Sequence, residues 1–85
     1  MGTKEEVTSE VLSFLLSLKE IAEKNPELPV RGAAKYINRL LTGAKGAYPD
    51  LKDIQATSPI QSADNLTTAI TRLSIIYGAM CAEGT

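Results

Sequence analysis

Four prolines, at positions 26, 29, 49 and 59, cut this 85-residue chain into three stretches, and each stretch repeats its apolar residues every three or four positions. Proline disfavours helical geometry in the residue before it, while a three-and-four spacing keeps apolar side chains on one helix face. The expectation is an all-α fold: a small antiparallel helical bundle of three main helices, over about 4–25, 30–45 and 59–82, with a possible short fourth helical turn over 50–55. No stretch shows strand-like alternation flanked by hairpin turns, and no internal repeat is present.

Local signals set the expected boundaries. Thr3 and Glu6 form a capping box at the start of the first helix, whose stripe reads Val7, Val11, Phe14, Leu18 and Ile21. Asn25-Pro-Glu-Leu-Pro29 reads as a tight turn. Pro29 suits the first position of the second helix, where a missing N–H costs nothing. Val30, Ala33, Tyr36, Ile37, Leu40, Leu41 and Ala44 supply that helix's apolar face, and Tyr48-Pro49 should end it. Asp50 is placed to cap a short turn that points Leu51 and Ile54 inward. Ser58-Pro59-Ile60-Gln61 combines a capping box with a first-turn proline, and Ala63, Leu66, Ile70, Leu73, Tyr77 and Met80 continue the seam; Asp64 is an alternative cap for a shorter third helix.

A chain of this length supports one compact domain, because two cores would leave too much surface exposed. Single Cys81 excludes an internal disulfide, so stability must come from packing, and a reducing, cytoplasmic setting is expected. The acidic N-terminal segment lacks the pattern of a signal peptide, and no stretch approaches the ~20 apolar residues that span a bilayer.

The net charge of −1 conceals segregation. Residues 1–29 hold six acids and three bases, residues 30–49 four bases and no acid, and residues 50–85 four acids and two bases. On the second helix Arg31, Lys35 and Arg39 follow an i, i+4, i+8 row opposite the apolar stripe. They form a candidate binding face for an acidic partner, with a solvated surface as the alternative. The first helix carries Leu12 and Leu16 some 140–180° from its main stripe, beside a row of Ser9, Ser13 and Ser17. The third long helix has a comparable small-residue row of Thr67, Thr71, Ser74 and Gly78. Leu12, Ser13, Leu16 and that row are the candidate interface, since small residues let another backbone approach closely and three short helices cover little of one another.

Catalysis is disfavoured. With no His, the usual general base near neutral pH is missing, and the ligand set for zinc is absent. Gly43-Ala-Lys-Gly46 lacks the spacing of a phosphate loop and closes a helix instead of opening one. No catalytic residue, metal or cofactor is expected. The reading is a non-enzymatic interaction module, a homo-oligomer joined through its first and third long helices, with the basic second helix free for an acidic protein partner. The alternatives are an inhibitor or immunity-type protein directed at one macromolecular target and a weak binder of nucleic acid or anionic surfaces, although the weak basic excess argues against nucleic acid.

Overall fold

The computed structural model describes residues 3–83. Among these, four α-helices follow in the order α1 (Lys4–Lys24), α2 (Ala33–Ala47), α3 (Lys52–Gln55) and α4 (Leu66–Glu83). The all-α expectation holds. Helix α1 packs most extensively on α4 and next on α2. Both neighbours run antiparallel to α1: Tyr48, at the end of α2, reaches Thr8, while Thr67, at the start of α4, reaches Pro26.

The first helix begins as its sequence indicates, with Thr3 Oγ1 accepting the Glu6 backbone N–H at 3.2 Å. Its inward face is rotated from the expected stripe. Val7, Val11, Leu15 and Leu18 are buried, Phe14 is half-buried, and Ile21 is exposed. The rotation follows from having two neighbours on adjacent sides of α1, so the buried arc is centred between them.

The second and third long helices both start later than the sequence suggests, for one shared reason. Residues 26–31 lie antiparallel to residues 62–67 and exchange backbone hydrogen bonds with them. Val30 N–H donates to Asp64 O at 2.9 Å and Arg31 N–H to Ser62 O at 3.0 Å; Leu66 N–H donates to Leu28 O at 2.9 Å. Pro29 therefore belongs to this pairing, opposite Asn65, and does not open α2. Pro59 likewise does not open α4. Asn38 of α2 holds the following residue on both sides, accepting the Ile60 N–H at 2.7 Å and donating to the Ile60 carbonyl at 2.8 Å. Held on both sides by Asn38, Ile60 is buried in the connection that precedes α4. Helix α4 starts instead at Leu66, just after Asn65, whose Oδ1 accepts the Thr68 N–H at 2.9 Å in the manner of an N-cap. Asp64, the alternative cap, accepts the Gln61 N–H at 2.8 Å and lies 3.9 Å from Arg72.

Gly43 and Gly46 do not stop α2, which continues to Ala47 and ends before Pro49 as expected. Asp50 makes no cap to α3; the short helix is pinned instead by Gln55 Nε2, which donates to the carbonyls of Lys45 and Tyr48. Its purpose in the packing is Ile54, which is fully buried alongside Val11, Ile37, Leu73 and Ile76. Leu51 is half-buried. Among the described residues no charged or polar residue is buried, so packing of apolar side chains carries the core. Ile54→Ala should therefore lower unfolding free energy by about 2–5 kcal/mol, measured as a shift of the urea midpoint with an unchanged slope.

Candidate interaction surfaces

Helices α1 and α4 meet along a groove of about 590 Å³ lined by Thr8, Ser9 and Leu12 from α1, Tyr77, Met80 and Cys81 from α4, and Tyr48. Polar contacts fix its floor and one end. Thr8 Oγ1 donates to the Lys4 carbonyl at 2.8 Å and lies 3.1 Å from Tyr48 Oη. A hydroxyl has one proton to give, so the Tyr48 phenol is the donor between the two. The Lys4 ammonium sits 5.0 Å from the Tyr48 ring centroid and 3.4 Å from a Glu83 carboxylate oxygen.

Of the candidate interface residues, Leu12 alone lines this groove. Leu12 is half-buried in its wall, and Leu16, one turn further along α1, is 53% exposed. The antiparallel register set by Thr8 against Met80 and Thr67 against Pro26 puts Ser74 roughly level with Leu16 and Gly78 roughly level with Leu12. Ser13, Ser74 and Gly78 are exposed. Thr67 and Thr71 lie at the far end of α4 and already have partners within the chain: Thr67 Oγ1 donates to Pro26 O at 3.0 Å and Thr71 Oγ1 to Thr67 O at 2.9 Å. A Cβ added at Gly78 would meet no atom within 4 Å. Nothing inside one chain requires glycine at that position.

The basic face differs from its expected form in one member. Lys35 and Arg39 are exposed on α2, but Arg31 precedes the helix and has φ 48°, the left-handed region. The backbone pairing to Ser62 imposes this turn. Among the described residues none of Arg31, Lys35 and Arg39 joins an ion pair; the two ion pairs there are Lys4–Glu83 and Arg72–Asp64. Tyr36, expected toward the apolar face, is 42% exposed beside these cations and packs edge-on against Phe14 of α1 with ring centroids 4.8 Å apart. Left-handed geometry costs an ordinary residue roughly 1–2 kcal/mol, partly offset in a glycine variant by the greater freedom of its unfolded chain. Arg31→Gly should accordingly raise stability by about 0.5 kcal/mol and Arg31→Val should lower it, both read from chemical denaturation.

Tyr77, expected in the apolar seam, is half-buried, and it shares the groove with Cys81 one turn further along α4. A hydrogen bond to Cys81, reinforced by the charge of its thiolate and by some desolvation, raises the Tyr77 phenol above its ordinary value. The protonated phenol is therefore favoured in the folded chain. Its contribution to stability is fully present below about pH 10 and is lost as the pH rises through the raised value. Replacing Cys81 with Ser removes the thiolate, so Tyr77 should ionise at lower pH, followed by tyrosinate absorbance across an alkaline titration.

Among the described residues no three His, Cys, Asp or Glu side chains are grouped as metal ligands, and no helix is long and apolar enough to cross a membrane. Comparison with protein-family models, with curated proteins and with solved structures finds no match to this chain.

Proposed function

We propose that the protein is a non-enzymatic helical interaction module that associates with itself through the α1–α4 face, with the basic face of α2 serving an acidic partner. The observation that carries this reading is Leu16: a leucine 53% exposed, continuous through Leu12 with an apolar groove between two helices. Burying a leucine fully contributes about 1.5–3 kcal/mol, so a surface that leaves one half outside gains by being covered. Gly78 supports the same face. Glycine costs a helix interior about 1 kcal/mol relative to alanine, no neighbour within the chain demands it, and its missing side chain lets a second backbone come close. A sequence without His agrees with a role in binding over one in acid–base chemistry.

Light scattering coupled to size-exclusion chromatography tests this directly. Wild-type protein at about 100 μM should elute above the monomer mass, since stable interfaces commonly bind more tightly than that, and Leu16→Glu should return it to monomer with its helical circular dichroism unchanged. A monomer at every concentration of wild type overturns the reading.

A further inference from the structure

The acidic partner expected for the α2 face has the chemistry of this chain's own α1. Resting on the self-association proposed above, we infer that the α2 face of one copy docks on the outer ridge of α1 in the next, in a head-to-tail contact. Leu12, Leu16, Glu20 and Glu23 fall within about 80° on the α1 wheel. Leu16, Glu20 and Glu23 are exposed, and among the described residues neither glutamate joins an ion pair. Exposed Lys19 and Lys24 stand on its two flanks, and between them the outer line of the ridge is apolar followed by acidic. The α2 face is the converse: Lys35 and Arg39 are exposed and unpaired among the described residues, with the Tyr36 ring between them in sequence and 42% exposed. The spacings correspond. Lys35 and Arg39 are one turn apart, about 6 Å along the axis, and Glu20 and Glu23 about 4.5 Å, a difference that long cationic side chains absorb.

One chain cannot make this contact with itself. Helix α2 packs beside Phe14, which lies on the opposite side of α1 from Leu16, so the two faces point away from each other. Different faces meeting between identical copies make a heterologous interface, in which every bound copy still offers one free face and growth continues past two unless a ring closes. Positive patch on negative patch also makes the association sensitive to salt.

Complementary charge reversal tests the pairing. Lys35→Glu with Arg39→Glu disables one face, and Glu20→Lys with Glu23→Lys disables the other; all four positions are exposed, and circular dichroism verifies folding. Each double variant alone should associate at least about tenfold more weakly than wild type. An equimolar mixture should regain association, because the intact α1 ridge of the first variant meets the intact α2 face of the second and the two reversed faces are again opposite in charge. Raising salt should dissociate the wild type. If each variant alone associates like the wild type, or if the mixture gains nothing, the α2-on-α1 pairing is wrong while self-association through another part of the α1–α4 face stands. If the wild type is monomeric, the self-association reading itself fails.

Discussion

The antiparallel backbone pairing of residues 26–31 with residues 62–67 governs the layout of the molecule. It takes up the Ser62 and Asp64 carbonyls, which a helix begun at Pro59 would use, and supplies acceptors for the otherwise unpaired first N–H groups of α4; with residues 28–30 engaged in the pairing, α2 begins at Ala33 and α4 at Leu66. It forces Arg31 into a left-handed turn. By tying the turn after α1 to the start of α4, it also sets the register in which those two helices lie together. Asn38 complements it from the side, holding Ile60 so that the connection between α3 and α4 lies flat and buries that isoleucine.

Helix number, helix type and the end of α2 were legible in the sequence because they depend on local terms: apolar spacing, a threonine cap and a proline stop. What escaped was non-local. Ser58, Pro59 and Gln61 offer every local inducement to start a helix, but a tertiary clamp from Asn38 outcompetes them, and nothing in a one-dimensional pattern marks one asparagine as the partner of a residue 22 positions away. The rotated stripe of α1 has a similar origin. Leu15 and Phe14 are adjacent apolar residues, and only the positions of α2 and α4 decide which turns fully inward.

The candidate surfaces were partly legible. Two leucines off the main stripe identified the α1 ridge, since an amphipathic helix with a second apolar patch is recognisable from angular position alone. Charge segregation identified the α2 face. The groove between α1 and α4 was not visible, because Leu12, Tyr77 and Cys81 become neighbours only through antiparallel packing of the first and last helices. Lys35 and Arg39 stayed on a common face as expected, whereas Arg31 left it when the helix start moved past it. The net charge of −1 lets identical copies approach without strong general repulsion.

The partnership of α1 with α4, more extensive than its contact with the adjacent α2, has a consequence for how the chain reaches its native state. Helical bundles usually fold fast because most contacts join neighbours in sequence. Here the contacts Lys4–Glu83 and Thr8–Met80 close loops that span nearly the whole described chain, and the 26–31 pairing encloses α2 and α3 inside another long loop. Closing such loops costs entropy before the contacts they permit are made. The last helix brings Leu66, Ala69, Leu73, Ile76 and Met80 to the core only once that entropy has been spent, and an incomplete chain ending before α4 lacks all five of these buried side chains.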